Sequence, residues 1–327
     1  MIKAIKTMLN AVEMGELKSF GEMAVIPLFL PSYESNHNYL VMKEALEEKL
    51  LVITELSHSG NVNELRVINN AAVPVLLIDG EELVGAKQNR IVNTTILLKS
   101  KSETLIPVSC TERGRWSYNS RTFDDSNTVM KHKERVRAKR SVSDSLAASG
   151  MPDANQGEIW ENLNQLQIDT CINSPTGAMK DVFNAHKNEL KDFLGAFPSN
   201  DGQGGLFVFI NGRVAGFETL SRPESYGKLH AKLLKSYAME ALVEGIKGTE
   251  SPSIDKAQAF LKQAVAAKGK KYPSVGLGND YRIKGENQVG SALVHGEETV
   301  HAAFFRTDDS QEDGTMTRSG QRARFRR

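Results

Sequence analysis

The chain has 327 residues, 40% of them hydrophobic, with 41 basic and 40 acidic side chains and a formal charge of +1. That length can bury a substantial core in one large or two modest domains, and the balanced charge calls for neither nucleic acid nor an anionic membrane as partner. Two cysteines, Cys110 and Cys171, cannot frame a disulfide scaffold. With no signal-peptide pattern in Met1–Asn10 and no apolar run near the ~18 residues of a spanning helix, the expectation is a cytoplasmic protein with no membrane segment.

Residues 1–21 read as a short N-terminal helix, and 22–126 as a β-rich lobe. Within the lobe Ile26–Leu30 reads as an entry strand and Lys43–Leu50 as a brief helix. Leu51–Leu56, Glu64–Val67, Val73–Ile78, Ile91–Leu98 and Thr104–Val108 read as short strands divided by turn residues. Lys99–Glu103 reads as an exposed hairpin loop and Ser117–Ser126 as a polar loop.

Residues 127–247 read as a helical region holding one hairpin. Lys131–Arg140 carries six cations on a helix running to Leu146, spread around it rather than along one stripe. That pattern suits a solvated helix; the alternatives are a nucleic-acid contact or a positive rim for an anionic ligand. No aromatic residues interleave to stack on bases, so nucleic acid is not the expected partner. Ile159, Leu163 and Leu166 mark an amphipathic helix, and Ser174-Pro175 predicts another helix start. Leu206–Ile210, Asn211-Gly212 and Arg213–Leu220 form the clearest hairpin, after which Ser221 and Glu224 fit a capping box opening a long helix.

Residues 248–306 read as a linker at Gly248–Pro252, a helix over Ile254–Ala267, and strands at Gln288–His295 and Thr299–Phe305. The last pair brings His295 and His301 near each other across a hairpin, at a spacing that matches no zinc pattern, so no metal is expected. Gly276-Leu277-Gly278 lacks the third glycine and following helix of a dinucleotide fingerprint and reads as a turn or bulge. Residues 307–327 are polar and charge-rich, the composition of a disordered tail. The whole predicts an α+β fold: a mostly antiparallel sheet lobe, a helical middle and a C-terminal strand segment returning to the first sheet.

The stretch around which this organisation turns is Gly80–Trp116. Alternation through Ile91–Leu98 carries Gln88 and Arg90 onto the line of an apolar face, where an unpaired guanidinium costs several kcal/mol. Either Arg90 pairs with Glu81 or Glu82 and locks a hairpin, or it meets an anionic ligand. The candidate ligand-binding residues are Lys87, Gln88, Asn89, Arg90, Asn93 and Arg115, and the candidate general acids or bases are Glu81, Glu82 and Glu112. Cys110, with no histidine nearby in sequence, reads as a part-buried strand thiol.

Gly80-Glu81-Glu82-Leu83 with Gly85–Arg90, Pro107–Cys110 through Gly114–Trp116, Ser174–Ala178, and Gly276–Gly278 with Arg282 together resemble the ADP-ribosylglycohydrolase- and rhodanese-phosphatase-superfamily-associated domain family. The resemblance spans about Ile26 to Phe305. It implies association with ADP-ribose and phosphate chemistry, hence a phosphorylated nucleotide or ADP-ribose-like ligand, and brings no catalytic assignment and no cofactor. The alternatives are a noncatalytic protein-interaction module, whose mark would be Arg90 paired with Glu82 in the interior with no cavity beside it, and nucleic-acid binding through the basic helix.

Overall fold

Leu206, Val208 and Ile210 enter one hydrophobic cluster and Phe207 and Phe209 another, because the strand that carries them is covered on both faces. A strand with one wet face alternates polar and apolar residues; this one has no wet face, which accounts for its unbroken apolar run. The computed structural model describes residues 2–307 except 32, 34, 36, 58–61 and 247–249. Its described helices are α1 (Lys3–Asn10), α2 (Met42–Glu47), α3 (His132–Ser149), α4 (Gln156–Asp169), α5 (Met179–Ala185), α6 (Lys187–Ala196), α7 (Pro223–Glu244) and α8 (Ile254–Ala266).

The largest sheet has nine strands. From one edge they run Glu13–Met14, Met23–Phe29, Gln203–Ile210, Arg213–Leu220, Glu298–Arg306, Gln288–His295, Asn279–Lys284 and Lys268–Pro273, with Lys18–Phe20 also on Met23–Phe29. Asn211 and Gly212 take φ of 50° and 74° between the central strands, the mirror-image turn that matches strand twist. One face of this sheet packs on α1 and α8 through Ile5, Met8, Phe260 and Phe304. The other packs on α7, which also contacts the Phe123–Val129 strand of a second sheet. That sheet has six strands, in the order Phe123–Val129, Glu81–Gly85, Arg90–Val92, Ser102–Cys110, Glu64–Asn69 and Leu51–Thr54. A small third sheet joins Ile96–Leu98, Val75–Leu77 and Leu40–Val41. Pairing is antiparallel except between Leu40–Val41 and Val75–Leu77, so the fold is α+β.

Several sequence expectations need correction. Ile91–Leu98 is not one strand: Arg90–Val92 pairs with Ser102–Cys110, whereas Ile96–Leu98 pairs with Val75–Leu77. The three residues between them hydrogen-bond through their side chains, Asn93 with Ser109 (2.8 Å), Thr94 with Asp280 (2.8 Å) and Thr95 with Asp79 (3.1 Å), and turn the chain from one sheet to the other. Ser117–Ser126 is only partly loop, since Phe123–Val129 is a strand with a bulge between Asp125 and Val129. α5 begins at Met179 rather than at Ser174; the Ser174 hydroxyl accepts from the Ala178 amide (2.9 Å) and donates to Asp181 (2.5 Å), closing a turn ahead of the helix. α7 is capped at Arg222 with Pro223 in its first turn, and Ser221 bonds the Tyr39 hydroxyl instead. The C-terminal strands join the nine-stranded sheet through Arg213–Leu220, the sheet that also holds the entry strand Met23–Phe29, and in the Gly276–Gly278 loop the Leu277 amide donates to the Leu97 carbonyl (2.7 Å). The exposed, lysine-rich Lys268–Pro273 edge strand has no apolar alternation to reveal it. The disorder expected over 307–327 and the start of the linker at 248 and 249 lie, beyond Thr307 and before residue 250, outside the described residues.

The basic helix α3 is the largest departure, because it is not a solvated one. Lys131, His132, Glu134, Arg135 and Lys139 are all buried. Arg135 forks onto both oxygens of Glu218 (2.7 and 2.8 Å), which also accepts from the Tyr237 hydroxyl (3.1 Å). Lys139 donates to Asp79 (2.9 Å) and Ser291 (2.6 Å), and Lys131 bridges Glu240 (2.9 Å) and Glu134 (3.3 Å). Burial opposes ionisation of Glu218 and Asp79, but Arg135 on the first and Lys139 with Arg135 on the second outweigh it, holding Glu218 at about 2 and Asp79 well below the usual carboxylate range.

Removing the central cation therefore strands Glu218 and leaves Asp79 to Lys139. Arg135→Met is expected to lower stability by ~3–5 kcal/mol in urea denaturation, and Arg135→Met with Glu218→Met to recover a large part of that loss. Because the folded pKa of Glu218 lies below its unfolded value, its contribution is full above the ordinary carboxylate range and falls away as pH drops toward 2.

Candidate functional site

Strand Glu81–Gly85 enters a tight turn over residues 86–89 and leaves it as Arg90–Val92. Gly85 has φ 126°, and a Cβ there would fall 2.6 Å from the Ser120 hydroxyl and the Thr122 carbonyl, so only glycine fits. Ala86 follows at φ 38°, a conformation costly for an L side chain. Neighbouring groups overdetermine it: the Ala86 amide donates to Ser120 Oγ (2.9 Å), and its carbonyl accepts from the Asn119 amide (2.9 Å) and Arg115 Nη1 (2.7 Å).

Arg115 is the buttress of this turn. Its guanidinium also donates to the carbonyls of Gly85 (3.2 Å) and Ser117 (2.9 Å), to Asn89 Oδ1 (3.1 Å) and to both oxygens of Glu112 (2.9 and 2.6 Å). Glu112 further accepts from Thr176 Oγ1 (2.8 Å) and the Asn89 amide (3.2 Å). Burial works against its charge, but these donors hold its carboxyl below the usual range. Both residues lie at the site, and both are committed to protein partners.

The other two candidate carboxylates differ sharply from each other. Glu81 accepts from Lys232 (2.7 Å) and the Ile78 amide (2.8 Å), and Lys232 is shared with Asp125 (2.6 Å). Burial and the competing Asp125 push Glu81 up despite that ammonium. Glu82 is fully buried and accepts from the hydroxyls of Thr111 (2.9 Å) and Thr128 (3.1 Å), with the Ser126 hydroxyl beside them. With no cation in ion-pair contact, burial pushes its carboxyl up to about 7.

Arg90 meets neither Glu81 nor Glu82; its partner across the ladder is Leu83. Its Nη1 donates to the Gln88 carbonyl (3.2 Å), Gln88 Oε1 (3.0 Å) and the Asn89 carbonyl (3.3 Å). Among the described residues its Nε and Nη2 are buried without a hydrogen bond, and so are both carboxylate oxygens of Glu55, which stands 3.8 Å from Nη2. Glu55 borders a cavity of about 680 Å³ walled also by Tyr118, Asn119, Ser120 and Arg121. Lys87 Nζ lies 5.4 Å from the Trp116 ring centroid and 5.2 Å from that of Tyr118, and both rings are 47% exposed. A second cavity, of about 490 Å³, shares the Asn119 and Ser120 wall and is bordered by Asn89, Glu112, Arg115 and Lys180.

The structure thus gathers Lys87, Gln88, Asn89, Arg90, Glu112 and Arg115 around one turn. Asn93 stands apart, bonded to Ser109 (2.8 Å) and the Pro152 carbonyl (3.3 Å) where the chain changes sheets. Glu55 was missed from sequence; its only signal is a lone carboxylate closing the alternating strand before Leu56. Cys110 is a buried strand thiol whose backbone is bracketed by Gln156 (2.7 and 3.0 Å), and burial raises its pKa. His295 and His301 are not together as expected: the first packs on His37 at 4.5 Å between centroids, whereas the second is buried against Thr95 (3.1 Å) and Glu218 (3.5 Å). Among the described residues no three His, Cys, Asp or Glu side chains are grouped to hold a metal ion.

Glu82 yields a pH test. Its folded pKa lies above the unfolded value, so the folded state binds the extra proton between about 4.5 and 7 and loses stability as pH rises through that window. Glu82→Gln, which mimics the protonated form, is expected to raise the melting temperature at pH 8, by up to ~3 kcal/mol of stability, and to change little at pH 4.5. Equal effects at both pH values would contradict the assignment.

No helix among the described residues is long and apolar enough to cross a membrane. No curated protein and no solved structure matches the chain. The family model for the ARG and Rhodanese-Phosphatase-superfamily-associated Protein domain matches residues 11–305, and with that match the chain belongs to this family.

Proposed function

We propose that the chain binds a phosphorylated, nucleotide-like ligand of the ADP-ribose kind in the cavity walled by Glu55, Tyr118 and Arg121. The observation that carries this reading is the unmet pairing of Arg90 and Glu55, two buried charges 3.8 Å apart whose facing atoms make no hydrogen bonds. Such groups cost ~1–3 kcal/mol each when left unmade, more when charged. A ligand in the cavity would offer hydroxyl donors to Glu55, and its phosphate oxygens would suit the guanidinium fork of Arg121 on the same wall.

The surroundings support the same ligand class. Arg121 and Lys87 add positive charge, and the half-exposed Trp116 and Tyr118 offer ring faces to an aromatic base. Glu112 acts in this reading as a fixed charge, and Glu81 is tied to Lys232. Glu82, which no cation holds ionised, is the carboxylate of this stretch left able to exchange a proton near neutral pH. A module in which these residues only lock the fold would need Arg90 paired inside with no cavity beside it; the cavity bordered by Glu55 argues for the ligand.

Thermal-shift titration with ADP, ADP-ribose, NAD and cyclic nucleotides tests the reading. At about a hundred times its dissociation constant a true ligand should add ~2.7 kcal/mol, a shift of several degrees. The shift is expected to vanish in Lys87→Ala and Glu55→Gln, each melting on its own within a few degrees of the natural protein. No shift from any nucleotide, or one that survives both substitutions, would overturn the proposal.

A further inference from the structure

We propose that the second cavity receives a distal sugar, so that the ligand is a nucleoside diphosphate extended by a polyhydroxylated unit rather than a nucleotide alone. This rests on the nucleotide reading of the first cavity. The two cavities share the Asn119–Ser120 wall, close enough for one ligand to reach both. Their chemistry is opposite. Beside the first, Arg121, Lys87 and Arg90 outnumber Glu55, and two aromatic rings stand at hand.

In the second, Glu112 and Arg115 neutralise each other (2.6 Å), leaving Asp124 and Asp181 against Lys180. Asp124 and Lys180 form no ion pair among the described residues, and Asp181 is engaged by the Ser174 hydroxyl alone (2.5 Å). Asn184, one turn along α5 from Asp181, and Asn119 add amides that both donate and accept. A second phosphate placed here would face two carboxylates across a narrow space, a repulsive arrangement. Vicinal hydroxyls would instead donate to Asp124 and Asp181 and accept from Lys180 and the asparagine amides. The chemistry of the wall therefore selects a neutral, hydroxyl-rich group over an anionic or an apolar one.

Calorimetric titration of ADP and ADP-ribose into the natural protein, Asp124→Asn and Asn184→Leu decides the matter. Asp124 and Asn184 are exposed, so both variants should fold. ADP-ribose is expected to bind the natural protein about tenfold more tightly than ADP, the worth of one or two hydrogen bonds to charged groups. Both variants should lose most of that advantage while their affinity for ADP stays unchanged. Equal affinity of the natural protein for the two ligands would overturn the distal sugar and leave the nucleotide site standing, as would an ADP-ribose advantage that both variants retain. A loss of ADP affinity in the variants equal to that of ADP-ribose would also overturn it. Binding of neither ligand would remove the nucleotide reading and this inference with it.

Discussion

The fork between Arg135 and Glu218 is the interaction on which the arrangement of layers depends. Arg135 belongs to α3, Glu218 to the central hairpin of the nine-stranded sheet, and Asp79, 3.5 Å from the same guanidinium, to the turn ahead of the Glu81–Gly85 strand. Both partners are almost fully enclosed, where a lone charge would be prohibitive and a matched one fixes geometry. Lys139, one helical turn on, completes the match by taking the second share of Asp79. Tyr237 of α7 and His301 of the C-terminal strand close on Glu218 from other directions, so three separate elements converge on two carboxylates.

The same logic anchors the candidate site. Lys232, on α7, reaches Glu81 and Asp125, tying the Glu81–Gly85 strand to the centre of the molecule. On that fixed strand the chain enters the strained Gly85-Ala86 corner, and Arg115 with Asn119 and Ser120 holds the corner closed. Rigid support of this kind lets a turn present side chains at defined positions, which a free loop cannot do. Glu55, which faces Arg90 without a hydrogen bond, borders one cavity, and Lys180 and Asp124, which form no ion pair among the described residues, border the other. Charges of both signs beside open space are what distinguish these positions.

Local patterns were legible in the residues wherever a short-range rule governs the chain. Asn211-Gly212 announces its turn because only a few residues accept positive φ twice in succession. Gly80–Trp116 stood out because a guanidinium on an apolar line demands an explanation. Ile91–Leu98 misled because Asn93, Thr94 and Thr95 keep the alternation of a strand while their side chains, bonded to Ser109, Asp280 and Asp79, redirect the chain. The basic run of α3 misled for a related reason: charge count along a helix does not say which charges have partners, and the partners of Arg135 and Lys139 lie 83 and 60 residues away.

By itself the sequence determined the α+β class, the central hairpin, the long α7 helix and the family, since each of these follows from periodicity, turn chemistry or motif. Tertiary structure alone decided which charges meet. It turned Arg115 and Glu112 inward on each other, gave Glu81 to Lys232, left Glu82 with two threonine hydroxyls, and set Glu55 opposite Arg90 beside a cavity. Coulomb attraction and desolvation act between atoms a few ångströms apart, and which atoms those are is set by how the sheets and helices stack, a relation that no local window of residues contains.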